Sequence, residues 1–167
     1  MSNVRPLLFL AALAAMPAAP AAAVVIEGKD APACEQGKPA ILVHIKGFKK
    51  ASGEVKVSLF GDDASRFMVR GGNLRKIFVP VKSTGPLSVC VAVPKPGRYA
   101  VAVHHDINGN GNMDAADGGG YSRNPKVSLM KRKPALASAA VQVGAQPTTT
   151  DVRLLYVKGL SLAPVDG

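Results

Sequence analysis

Seven short segments of this chain alternate apolar and polar residues with a period of two, and this pattern constrains the fold more than any other feature. In the second segment, Val55, Val57 and Leu59 share one face, while Glu54 and Lys56 lie on the other. Such alternation is typical of β-strands with one buried face. The segments are AILVHIKG, GEVKVSLFG, RKIFVPV, LSVCVAV, GRYAVAVHH, SAAVQV and TDVRLLYV.

Long helical periodicity is absent, so we predict an all-β fold, a seven-stranded antiparallel β-sandwich of the immunoglobulin-like or prealbumin-like type. Pro96 and Gly97 between two strongly alternating segments predict a hairpin turn. Pro80 lies inside a strand pattern, which indicates an edge strand or a bulge. The longest irregular stretch runs from Asp106 to about Lys133, and we expect it to form one long polar loop.

The first 23 residues have the pattern of a secretory signal peptide. MSNVR is a short basic region, PLLFLAALAAM is an apolar core, and PAAPAAA is a small-residue region with cleavage expected after Ala23. The apolar core is too short for a stable membrane anchor. We therefore predict a periplasmic or secreted protein. Its mature part has an N-terminal extension (24–38) carrying Cys34, a β-sandwich domain (39–158) and a C-terminal tail (159–167).

Cys34 and Cys90 are the only two cysteines of the chain. An even number of cysteines in an exported protein predicts a disulfide bond, and two buried free thiols are the alternative. The strand pattern places Cys90 on the face of Ser88 and Ala92, away from the valines. We therefore expect the N-terminal extension to cross that outer face and to be pinned there.

The formal net charge is +10, with basic residues spread along the chain. Such a surface attracts anionic envelope components and other polyanions through its summed electric field, which makes polyanion binding one candidate function. Specific nucleic-acid binding is not expected, because the chain has no Trp and few other aromatic residues for base stacking. No second apolar segment of membrane-spanning length follows the signal peptide.

The stretch HHDINGNGNMDAAD places acidic and amide side chains at alternate positions, with glycines between them. Alternate oxygen-bearing side chains on a curling backbone can point at one Ca²⁺ ion. The pattern departs from a helix-flanked calcium loop in three respects: Asp stands at the twelfth position, only three carboxylates are present, and a strand precedes the loop. A self-hydrogen-bonded turn without metal is the alternative. The predicted oxygen donors are Asp106, Asn108, Asn110, Asn112, Asp114 and Asp117.

A metal-dependent hydrolase using His105, Asp106 and Asp114 is the enzymatic alternative. Strand alternation opposes it, because His104 and His105 should point to opposite faces. Ser122 does not lie in a G-x-S-x-G nucleophile motif. We therefore expect no catalytic residues and no cofactor other than Ca²⁺. Glycines 118 to 120 are interpreted as a tight reversal that would bring supporting side chains back to the loop. These supporting residues are His105, Tyr121, Ser122 and Asn124.

The segments GRYAVAVHHDINGNGNMD, GGGYSRNPK, KPALASAAVQV and DVRLLY together resemble the family called domain of unknown function 2141. The resemblance extends from about Ile41 to Tyr156. It departs from the family pattern at Ala135–Ser138, where members often have Ser, Phe and acidic residues, and at Arg123, where Asn is common. It implies an extracytoplasmic, single-domain β-sandwich, and it implies no activity. The residues that carry it are Gly97, Tyr99, Ala100, His105, Asp106, Asn108, Asn110, Gly111, Asp114, Gly120, Ser122 and Asn124.

Overall fold

The alternating segments form strands in a computed structural model that describes residues 25–165. The predicted signal peptide and its cleavage site lie outside these residues. Two short helices accompany the strands. In chain order the elements are β1 (Ile26–Glu27), α1 (Ala31–Glu35), β2 (Ala40–Lys46), β3 (Glu54–Phe60), β4 (Arg75–Pro80), β5 (Leu87–Ala92), β6 (Gly97–Asp106), β7 (Gly118–Tyr121), α2 (Leu136–Ala139), β8 (Ala140–Val143), β9 (Thr148–Arg153), β10 (Leu155–Lys158) and β11 (Ser161–Ala163).

The strands form two sheets. Sheet A has the order β1-β5-β2-β9. Sheet B has the order β11-β10-β7-β6-β3-β4, and β8 also pairs with β6. The long strand β6 therefore has two partners on the same side: its first half pairs with β8, and its second half pairs with β7. The edge strand β4 ends at Pro80, which confirms the edge position predicted for that proline.

The main apolar core lies between the two sheets and confirms the predicted all-β sandwich. Every alternating segment contributes apolar residues to it. Ile41, Val43 and Ile45 of β2 face Val57 and its neighbours across the core, and all of these side chains are fully buried. Full burial of an aliphatic side chain stabilises the fold by roughly 1.5–3 kcal/mol.

The structure adds short strands and parallel pairing to the predicted sandwich. The last alternating segment divides at Leu154 between β9 in sheet A and β10 in sheet B. Strand β9 pairs parallel to β2, and β1 pairs parallel to β5. The residues assigned to the C-terminal tail contribute β11, which pairs with β10. Period-two alternation indicates which face of a strand is buried and carries no information on strand direction. Parallel pairing therefore cannot be predicted from it.

The N-terminal extension closes one edge of the sandwich. Helix α1 packs against β5, and a disulfide joins Cys34 to Cys90, as predicted. Asp30 is almost fully buried, forms a bidentate ion pair with Arg75 of β4, and accepts a hydrogen bond from the backbone N–H of Ala92 in β5. One carboxylate thus links β4, an edge strand of sheet B, to β5 of sheet A, which lies next to the edge strand β1.

A second, smaller apolar cluster lies on the outer face of sheet B. Phe60, Ala100 and Ala102 project from β3 and β6, and they are covered by Phe67 and by Leu136 of α2. This cluster covers only part of the outer face. Within residues 25–165, no helix has the length and apolar character needed to cross a membrane.

Candidate functional site

Strand β7 divides the long loop predicted between Asp106 and Lys133, and we call the part that connects β6 to β7 (residues 107–117) the polar loop. These strands are antiparallel neighbours, with His105 paired to Gly118, so the loop leaves and re-enters sheet B at adjacent positions. The turn before β3 packs against the start of the loop. A Cβ atom on Gly53, whose φ is +70°, would lie 1.9 Å from the backbone oxygen of Asp106, so only glycine fits there. The Ser52 hydroxyl donates to the backbone oxygen of Ile107 at 3.3 Å.

Asp106 organises the first half of the loop. Its carboxylate accepts hydrogen bonds from the backbone N–H groups of Gly109 (2.8 Å), Asn110 (3.2 Å) and Gly111 (2.7 Å). Gly109 and Gly111 have φ values of +70° and +78°, which allow the chain to curl around the carboxylate. The side chain of Asp106 is thereby buried although the loop itself is exposed.

Three side chains converge at the centre of the loop. The amide nitrogens of Asn108 and Asn110 donate to the same Asp114 oxygen, at 2.9 and 3.2 Å. The other oxygen of Asp114 accepts the backbone N–H of Ala116, and this bond, followed by the one from Asn108, lowers the pKa of Asp114. The amide oxygens of Asn108 and Asn110 accept the backbone N–H groups of Asn110 and Asn112, in successive Asx turns.

Asp117 lies at the base of the polar loop, away from the point where Asn108, Asn110 and Asp114 meet. It is buried and accepts hydrogen bonds from the ring nitrogen Nε2 of His104 (3.0 Å), the backbone N–H of Ile107 (3.0 Å) and that of Asp114 (3.2 Å). Its carboxylate therefore ties the two ends of the loop to β6. Asn112, by contrast, is exposed, and its side-chain amide donates to the backbone oxygen of Asn110.

The two histidines at the end of β6 point to opposite faces of sheet B, as the alternation predicts. His105 is fully buried beside Phe48, with its Nδ1 bonded to the Tyr156 hydroxyl (2.7 Å) and its Nε2 to the backbone oxygen of Ser52 (3.0 Å). Burial lowers the pKa of His105 from 6.5 and raises that of Tyr156 to about 12. At neutral pH the ring is uncharged: Nε2–H donates to Ser52, and Nδ1 accepts from Tyr156.

The other predicted supporting residues lie away from the polar loop. Ser122 is fully buried and bonds to the backbone of Val101, and Asn124 bonds to the backbone of β9 at Asp151 and Arg153. The Tyr121 hydroxyl donates to the backbone oxygen of Arg132. These three residues hold the segment after β7 in place.

Glycines 118 to 120 form strand β7 instead of the reversal inferred from the sequence. A Cβ atom on Gly118 would lie 2.5 Å from the Tyr156 ring, and one on Gly120 would lie 2.8 Å from the Arg153 backbone oxygen. The glycines therefore permit close approach of β7 to Tyr156 and to the backbone of Arg153. Ser52, Gly53 and Tyr156 also support the loop and were not identified from the sequence, because their contacts are long-range.

The fold and the loop define a class of protein: an all-β sandwich with one structured polar loop between two adjacent strands. Within residues 25–165, no group of three or more His, Cys, Asp or Glu side chains is arranged to hold a metal ion. The model of the family described as "Uncharacterized protein conserved in bacteria (DUF2141)" matches residues 43–151, from β2 to β9. The chain belongs to this family. No curated protein and no solved structure matches it.

Proposed function

We propose that the protein is an exported, non-catalytic binding module whose loop between β6 and β7 takes up Ca²⁺ as a structural ion. One observation carries the proposal: the side chains of Asn108, Asn110 and Asp114 meet at the loop centre, beside the curled Asp106 segment. Ca²⁺ is coordinated in proteins by carboxylate, amide and backbone oxygens, which are the groups that this loop supplies.

A calcium ion would need the amide oxygens of Asn108 and Asn110, which now accept backbone N–H groups in the Asx turns. Rotation of both amide groups by half a turn would place these oxygens where the nitrogens now meet Asp114, and it would break the two Asx-turn hydrogen bonds. Asp106 accepts three N–H bonds, which leaves lone-pair capacity on its carboxylate. With Asp117 occupied at the loop base, the remaining ligands would be backbone oxygens and water. A site with so few charges predicts a weak Kd, about 10⁻⁴ to 10⁻³ M.

The geometry favours this proposal over the hydrolase. A metal-bound histidine must offer a lone pair, and both ring nitrogens of His105 are bonded to protein groups. His105 lies in the core, whereas Asp114 lies in the exposed part of the loop. These side chains do not form a common site.

Export is supported by the disulfide between Cys34 and Cys90, because disulfides persist in oxidising compartments. The signal-peptide pattern of residues 1–23 supports it independently. The charge of +10 supports contact with anionic envelope components. Such contact would weaken steeply between 50 and 500 mM salt, roughly as the screening length shortens from about 14 to about 4 Å.

Titration of Ca²⁺ into EDTA-treated protein tests the loop. We expect binding heat with a Kd of about 10⁻⁴ to 10⁻³ M, and stabilisation by about 1.4–2.7 kcal/mol in 10 mM Ca²⁺. The Asp114→Asn variant should lose both effects, since it removes the carboxylate at the loop centre. Asp62→Asn is the matched control, because Asp62 is an exposed aspartate paired with Arg98. Absence of heat and of stabilisation up to 10 mM Ca²⁺ would refute the proposed calcium site.

A further inference from the structure

The outer face of sheet B carries an open groove beside its second apolar cluster. The groove has a volume of about 310 Å³. Its floor includes Ser58, Ala102 and His104, from the adjacent strands β3 and β6. We call it the sheet B groove. It does not include the calcium ligands proposed above, although it shares one edge with the polar loop.

The walls of the sheet B groove are apolar and exposed. Met68 and Val69 stand on one side and are 41% and 48% exposed, and Met113 of the polar loop is 54% exposed. Contiguous exposed apolar residues around a depression mark a binding surface more often than a solvated face. Methionine side chains are flexible and polarizable, so they adapt to aliphatic partners of varied shape.

The charged residues of the sheet B groove are all basic. Lys56, Arg70 and Lys76 line it, and no aspartate or glutamate does. None of these three residues forms an ion pair in the part of the chain that the structure describes. Lys76 is paired to Ser58, two residues from Lys56 on the neighbouring strand, so the two ammonium groups are diagonal neighbours.

We propose that the sheet B groove binds a medium-chain aliphatic carboxylate. The carboxylate would lie against Lys56, Arg70 and Lys76, and the chain would lie between Met68 and Met113. Arg and Lys form their strongest hydrogen bonds with charged oxygens, which favours an anion over a neutral alcohol. The volume is at the lower end of the 300–1,000 Å³ typical of ligand sites, which suits one chain and not a two-chain lipid.

Calorimetric titration of decanoate into the purified protein, below its micelle concentration and in EDTA, tests the inference. EDTA separates it from the calcium proposal, since the groove should bind decanoate whether or not the loop binds Ca²⁺. We expect saturable binding. Each methylene removed from the ligand should weaken binding by about two-fold if that methylene is half buried in the groove and by about four-fold if it is fully buried. Decanol and acetate, which lack the charge or the chain, should bind at least tenfold more weakly.

Two pairs of variants locate the site. Lys56→Gln combined with Lys76→Gln should weaken decanoate binding at least tenfold and reduce its salt dependence, whereas Lys38→Gln at an exposed site near α1 should not. Met113→Ser should reduce the dependence on chain length, and Met130→Ser, at a fully exposed methionine, should leave it unchanged. Unchanged urea midpoints would show that the variants remain folded.

Three results would overturn the inference. The first is no saturable binding of decanoate at any concentration below its micelle point. The second is equal binding of decanoate and decanol, which would show that the basic residues do not select an anion. The third is an equal loss of affinity in the Lys38 control and in the double lysine variant, which would show attraction by the overall charge alone.

Discussion

The hydrogen bonds of Asp117 allow the most demanding test of the loop architecture. Replacement by Ala would leave three donors without their acceptor: His104 Nε2–H and the backbone N–H groups of Ile107 and Asp114. Each bond to a charged acceptor contributes about 1.5–3 kcal/mol. Because the three share one network, and because water can reach the exposed side of the loop, their losses should not add fully. We expect the free energy of unfolding to fall by about 3–4 kcal/mol.

The Asp117→Asn variant has nearly the same side-chain shape, so it tests the loss of a hydrogen-bond acceptor without a change in packing. It keeps one oxygen for the N–H of Ile107 and places an NH₂ group against the N–H of Asp114. His104 can accept from this NH₂ by changing its tautomer. The expected loss is about 1–2 kcal/mol. The exposed Asp62→Asn control should lose less than about 1 kcal/mol, as surface ion pairs do.

Urea unfolding of the three variants measures these differences. With a slope near 1.5 kcal/mol/M, a loss of 3–4 kcal/mol moves the midpoint down by about 2–3 M. The slope should stay constant, because the amount of surface exposed on unfolding does not change. An Asp117→Ala midpoint within about 0.5 M of that of the Asp62→Asn control would refute the role of Asp117 as the anchor of the loop.

Removal of the disulfide by Cys34→Ser and Cys90→Ser should destabilise the fold by about 4 kcal/mol in the chain-entropy model, given a sequence separation of 56. The check is the urea midpoint, and an unchanged midpoint would contradict this. Gly120→Ala should cost about 1–3 kcal/mol, because its Cβ would lie 2.6–2.8 Å from existing atoms, whereas a Cβ on Gly119 would lie at ordinary contact distances of 3.5 Å from the Met113 methyl and 3.8 Å from the Val103 backbone oxygen. Equal melting temperatures for the two variants would argue against a close approach at Gly120. Since burial lowers the pKa of His105, the unfolded chain takes up the proton first as pH falls, so this residue's contribution to stability should decline below about pH 6.5. A ring titration by NMR with a midpoint at or above 6.5 would contradict that expectation.

The fold class was predictable because a strand with one buried face leaves its period in the sequence. The disulfide was predictable because only two cysteines were present, and Cys90 lies on the outward-facing side of its strand. Strand direction was not predictable, since β9 joins β2 through contacts between distant parts of the chain.

The composition of the polar loop was predictable, and its geometry only in part. The sequence position of Asp117 suits either the twelfth ligand of a calcium loop or a carboxylate that ties the two ends of the loop together. The structure has the second arrangement, which depends on the pairing of β7 with β6. Glycines 118 to 120 were interpreted as a turn because glycine favours turns. Their place in the structure depends instead on Tyr156 and Arg153, which follow more than thirty residues later.

The parallel pairing of β2 with β9 has a consequence for the order of folding. Residue 41 pairs with residue 148, so sheet A cannot be completed until almost the whole chain is available. Until then one edge of β2 is unpaired, and an unpaired apolar strand edge is a template for aggregation. Non-local pairing of this kind also slows folding to the range of milliseconds to seconds. A chain of this topology can complete sheet A only after its synthesis is nearly complete, and the free edge of β2 is open to pairing with other strands during that interval.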